Sequence, residues 1–207
     1  MPYRRYVQIR QDLEVIANLI DEGSSVLDLG CGAGELLSKL VHEKKCQGHG
    51  VELYEEYILE CVKKGVQVIH SDLDEGLGDY HNNSFDYIIL SRTLQVVRKP
   101  HMVLQEIVRA GRFGIVSFPN FGYWRVRSML FFKGKMPVTK DLPYQWFDTP
   151  NIHLLTINDF KSFCQSERIK ILKQINLGKM KKSGILSRLF PNLFSEQAIF
   201  LIQKISP

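Results

Sequence analysis

Hydrophobic positions alternate between two rhythms along most of the chain. Ile9, Leu13, Ile16 and Ile20 recur at helical spacing and predict an opening amphipathic helix. Residues 25–29 form a short apolar run ended by glycines. Residues 35–41 then return to the helical period through Leu36, Leu37 and Leu40. Strand-like runs follow at 48–51, 66–70, 85–90 and 114–118, with helical patterns at 54–64 and 100–109, where Pro100 suits a first helical turn. This alternation predicts an α/β fold: an open, mostly parallel sheet with helices on both faces.

Beyond Phe118 the rhythm fails. Residues 119–153 read as a long irregular connection, too long for an ordinary loop and therefore a candidate functional segment. Thr156 with Asp159 has the form of a capping box ahead of Phe160, Phe163 and Cys164. Two late strands, 169–177 and 197–203, have no clear crossover helix between them, which predicts an antiparallel pair at the sheet edge. The segment between them, 178–192, reads as a second extended link. One domain over 1–207, carrying an insertion at about 119–153, is the expected organisation.

Composition changes this picture in one respect. The chain has 207 residues, 44% of them hydrophobic, as an ordinary globular domain does, yet it carries a net charge of +5. The excess has an address. Arg125, Arg127, Lys133, Lys135 and Lys140 fall between Pro119 and Lys140 without an acid, and Lys179, Lys181, Lys182 and Arg188 fall in 178–192 without one. Those two stretches hold nine of the 27 lysines and arginines, so the remainder carries −4. The first stretch interleaves its cations with aromatics, including Trp124, Phe131 and Phe132. That composition suits a protein interface or a substrate cap better than nucleic acid, for which no recognised module is present.

Other classes lose support. No stretch approaches the ~18 apolar residues of a membrane span, and no apolar signal core opens the chain. Cys31, Cys46, Cys61 and Cys164 form no Cys-x-x-Cys, so free thiols in a cytoplasmic protein are expected. The six histidines are scattered without ligand spacing, and no metal site is expected.

The sharpest local signal is Asp28-Leu29-Gly30-Cys31-Gly32-Ala33-Gly34. A buried strand delivers a glycine turn to a helix start, where free N–H groups face a ligand and no Cβ blocks its approach. A tight turn alone does not need three alternating glycines. The dinucleotide spacing G-x-G-x-x-G fails because position 35 is Glu, and the P-loop Lys-Ser/Thr is missing. The run resembles the first motif, D-x-G-x-G-x-G, of class I S-adenosylmethionine-dependent methyltransferases. Glu52 ends the second strand, where a carboxylate can accept both ribose hydroxyls. Asp72 follows the third strand and can accept an adenine amino group, with Leu73 supplying its N–H. The expected cofactor-binding set is therefore Asp28, Gly30, Cys31, Gly32, Gly34, Glu52, Leu53, Asp72, Leu73 and Ser91. S-adenosylmethionine or S-adenosylhomocysteine is the expected cofactor.

The reaction is not legible. The fourth strand exits through Ser91-Arg92-Thr93-Leu94 instead of the Asn/Asp-Pro-Pro-aromatic motif of amino-group methylation, and no nucleophilic cysteine motif occurs. A base for O-methylation would have to come from the insertion, such as His153 or Asp148, and no catalytic residue is assigned.

Longer strings narrow the resemblance. Residues 72–77, 93–95, 116–122, 136–140 and 148–154 are similar to the MetW family of bacterial methionine-biosynthesis proteins, with Arg92 standing where that family is expected to have Gln. The resemblance implies a methyltransferase fold whose role is tied to homoserine O-acyltransferase as a partner. The alternative is a small-molecule methyltransferase with the 119–153 insertion as its lid.

Overall fold

The computed structural model describes residues 10–78, 80–178 and 185–205. Strands β1 (Ser25–Leu29), β2 (Gln47–Glu52), β3 (Gln67–His70), β4 (Phe85–Ser91), β5 (Gly111–Pro119), β6 (Ile169–Leu177) and β7 (Gln197–Lys204) form one sheet. Their order is β3-β2-β1-β4-β5-β7-β6. Pairings from β3 through β5 are parallel, and β7 runs antiparallel to both β5 and β6. The late strands thus form the expected antiparallel pair, with β6 outermost.

Period-two alternation sorts the strand side chains onto two faces. Val26, Ile89, Ile115 and Ile199 pack with α1 (Gln11–Ala17), α2 (Glu35–Lys44) and α3 (Glu55–Lys63). Leu27, Leu29, Ile88, Leu90, Val116 and Phe200 pack with α4 (Pro100–Ala110) and α6 (Ile157–Ser166). The capping box forms as expected: Asp159 N–H donates to Thr156 Oγ1 at 3.2 Å, and Thr156 N–H donates to Asp159 Oδ2 at 2.9 Å. Phe118, Phe160 and Phe200 meet where β5, α6 and β7 join, with Phe118 and Phe200 stacked at 5.8 Å and Phe160 4.6 Å from Phe200.

Two expectations are corrected. The connection after β5 is not wholly irregular, because α5 (Trp124–Lys133) lies inside it, with Val126 as its buried side chain. Apolar and basic residues alternate around its axis, so no apolar stripe announced it. The link before β7 is not wholly extended either: it contains the short helices α7 (Ile185–Leu189) and α8 (Pro191–Phe194). Lys179, Lys181 and Lys182 lie outside the described residues. Among the described residues no helix is long and apolar enough to cross a membrane.

The chain builds β1, β2 and β3 outward in one direction, then returns to place β4 on the other side of β1. That reversal opens a crevice at the carboxyl ends of β1 and β4, the position at which open α/β sheets hold ligands.

Phe118 is fully buried in the three-ring cluster. Phe118→Ala is expected to lower unfolding free energy by about 3–5 kcal/mol in urea denaturation, the usual cost of an aromatic-sized cavity.

Candidate functional site

A cavity of about 740 Å³ lies in this crevice, within the size range of small-ligand sites. The loop after β1 forms its floor. Gly30, Gly32 and Gly34 all have left-handed φ, at 70°, 55° and 72°. Gly30 has no room for a side chain, since a Cβ there would lie 2.8 Å from the Thr93 side chain. At Gly32 a Cβ would project into open space, which leaves this part of the backbone accessible to a ligand. Gly34 caps α2, with Cys61 Sγ 2.8 Å from the place a Cβ would take. It is the one expected residue that does not line the cavity; the other nine do.

Glu52 holds the loop in shape. Its Oε2 accepts the Gly32 N–H at 2.8 Å, while its Oε1 accepts the N–H groups of Leu53 and Tyr54 at 2.8 and 3.0 Å. The acid expected to face a ribose is therefore also the brace between the ends of β1 and β2. Asp72 Oδ1 accepts the Asp74 N–H at 2.9 Å, capping a single 3-10 turn at Leu73–Glu75. Asp74 in turn accepts from the N–H groups of Arg98 and Lys99, which ties this rim to the start of α4.

Asp28 is different. Only 3% of its surface is exposed, and its Oδ1 has no hydrogen-bond partner. Burial pushes its carboxyl up to about 7; Arg10 pulls it down and Glu52 pushes it further up. A buried carboxyl with one unpartnered oxygen beside a cavity is an incomplete arrangement that a cationic group would complete.

Arg10, which no sequence motif marks, also lines the cavity. Its Nη2 donates to Ser91 Oγ at 2.7 Å and to Asp12 Oδ2 at 2.8 Å, fastening the start of α1 to the end of β4. Burial raises the Asp12 carboxyl, but the hydrogen bond and charge of Arg10, together with the Arg92 charge and the Gln197 hydrogen bond, outweigh it and hold Asp12 below its ordinary value. Cys31 lies partly buried with Sγ 3.9 Å from Cys61 Sγ, and all four cysteines are free thiols.

The insertion reaches the same cavity. Gln95 carbonyl accepts the N–H groups of Ile152 and His153 at 2.9 and 3.1 Å, which places Pro150 and Ile152 in the wall. Arg92, left-handed at φ 58°, pairs with Asp141 at 2.9 Å. Asp141 lines a second cavity of about 240 Å³ bounded by Asn120, Tyr123, Val126 and Glu196, so this ion pair stands between the two spaces. The two expected sources of a base lie elsewhere. Asp148 is exposed and accepts the Gln145 N–H, and His153 does not line the large cavity.

The Asp28 environment predicts a pH signature. Between about pH 4 and pH 7 the folded chain retains a proton on Asp28 that the unfolded chain has released, so this residue's contribution to stability falls as pH rises. Asp28→Asn abolishes that fall. Urea unfolding at pH 5 and pH 8 should show the variant gaining on wild type by about 1 kcal/mol or more at the higher pH. An equal difference at both pH values contradicts the assignment.

Comparison with known proteins agrees with this architecture. An S-adenosylmethionine-dependent methyltransferase from Mesorhizobium loti superposes with a TM-score of 0.67 at 15% identity, covering 92% of this chain and 96% of that one. The cyclase SpnF superposes with a TM-score of 0.67 at 16% identity, covering 95% and 82%. These likenesses establish the methyltransferase fold and, since a cyclase shares it, name no reaction. The bifunctional methionine biosynthesis protein MetXA/MetW of Rhodopirellula baltica is 32% identical over 207 residues, covering 96% of this chain. The chain spans about a third of the length of that curated relative, 33%. The model of methionine biosynthesis protein MetW matches residues 10–202, and the chain belongs to the MetW family.

Proposed function

We propose that the chain binds S-adenosylmethionine or S-adenosylhomocysteine in the large cavity and supports a homoserine O-acyltransferase in methionine biosynthesis. The cofactor reading is carried by Asp28, whose buried Oδ1 lacks a partner beside an accessible glycine loop. The ammonium of the cofactor's amino-acid end supplies the missing cation, with Gly30, Cys31 and Gly32 beneath it. Glu52 accepts the ribose hydroxyls by exchanging or sharing the Gly32 N–H. Leu53 gives the adenine an apolar face, and Asp72 and the Leu73 N–H meet its polar edge. Ser91 lines the cavity beside Arg10, which donates to it, and Gly34 serves behind the surface through the turn into α2. When bound, the cofactor offers an electrophilic methyl group on sulfonium; no side chain of the cavity is assigned as a base toward an acceptor.

The partner reading rests on the family and on the curated relative, whose name joins MetXA and MetW in one polypeptide. We read the chain as one domain with the 119–153 insertion, acting in the cytoplasm as a cofactor-sensing companion of the acyltransferase. Methionine is the precursor of S-adenosylmethionine, so the site can report the product of the pathway. One observation favours a second reading, a small-molecule methyltransferase with the insertion as lid: Pro150 and Ile152 close on the same cavity.

Calorimetry with S-adenosylmethionine should show binding that Asp28→Ala and Glu52→Ala each weaken at least tenfold; an absence of wild-type binding overturns the cofactor reading. Titration of the acyltransferase with and without cofactor should give two different affinities, because linkage requires it of a sensor. Equal affinities reject sensing. Labelled methyl transfer to a metabolite extract would instead establish the second reading.

A further inference from the structure

We propose that the exposed end of α5, Leu130 to Lys133 with the following Gly134–Met136, is the surface by which the chain docks on the acyltransferase. This rests on the partner reading above. Residues 130–136 are all exposed, and Phe131 and Phe132 keep 83% and 81% of their surface in water. The two rings meet edge to face with centroids 5.1 Å apart. α5 is a ten-residue helix whose buried side chain is Val126, so little of its length is anchored to this chain. Helices this short are held by packing, and adjoining exposed aromatics mark an interaction site.

Charge states the partner's chemistry. Arg125, Arg127, Lys133, Lys135 and Lys140 are all exposed, and no acid occurs between Pro119 and Lys140. The fitting surface presents apolar pockets for two phenyl rings inside an acidic rim, the arrangement in which aromatic and cationic anchors dominate binding. A lipid surface fits less well. Interfacial helices separate one apolar face from one basic face, whereas Trp124, Arg125, Val126 and Arg127 alternate and the two kinds surround the α5 axis. A groove with discrete pockets accommodates that intermixing.

The test titrates the purified acyltransferase of the same organism with three full-length chains: wild type, Phe131→Ser with Phe132→Ser, and Lys133→Glu with Lys135→Glu. Each double variant should bind the acyltransferase at least tenfold more weakly than wild type. Each should keep the wild-type thermal midpoint and S-adenosylmethionine affinity, because none of these residues lines the large cavity. If wild type binds and both variants bind equally well, the surface assignment is overturned while the partner reading stands. If wild type does not bind the acyltransferase, the partner reading fails and this inference with it. Capture of wild type, but not the variants, by phosphatidylglycerol vesicles or by RNA, without acyltransferase binding, overturns it in favour of that occupant.

Discussion

The crevice at the carboxyl ends of the strands depends on one carboxylate, which braces the loops of β1 and β2 through backbone N–H groups. Glu52 ends β2, and its two oxygens accept three backbone N–H groups, one from the glycine loop after β1 and two from its own loop. Three left-handed glycines make that loop permissive, and a permissive loop needs an external constraint to hold one shape. Glu52 supplies it across the β1–β2 pair, where Leu29 and Val51 lie in register. The cavity floor, the turn into α2 and the approach to Asp28 follow from that brace.

The insertion is built into the same end of the sheet. Asn120 donates to the carbonyls of Asn192 and Ser195 and accepts the N–H groups of Gly122 and Ile157, joining the exit of β5 to α6 and α8. Gln95 holds Ile152 and His153, and Arg92 holds Asp141. The segment after α5 is thus fastened to the loop leaving β4, whose Thr93 packs over Gly30. A change in the cavity therefore has a short mechanical path to the insertion, which gives the proposed sensing a physical route.

Much of this was legible in the sequence, for definite reasons. The strands and their helices follow from period, and the glycine loop with Glu52 follows from spacing. The family strings at 93–95 and 148–154 are far apart in the chain and became intelligible as two sides of one contact at Gln95. What stayed hidden depends on tertiary placement. α5 carries no apolar stripe, since one buried side chain anchors it. Arg10 opens a helix without any motif, and only the fold brings it to Ser91 and the field of Asp28. Spacing likewise marked Glu52 as a ligand acid without showing that backbone N–H groups already occupy both its oxygens.

The proposed cofactor site has the glycine loop braced by Glu52 as its floor. It is tested most directly by amide NMR of the uniformly labelled chain titrated with S-adenosylhomocysteine. The Gly30, Gly32 and Leu53 amides are expected to shift, because the ligand meets the loop and Glu52 redistributes its hydrogen bonds. Unshifted loop amides at saturating ligand, or shifts confined to the residues around the smaller cavity, would contradict that placement of the site.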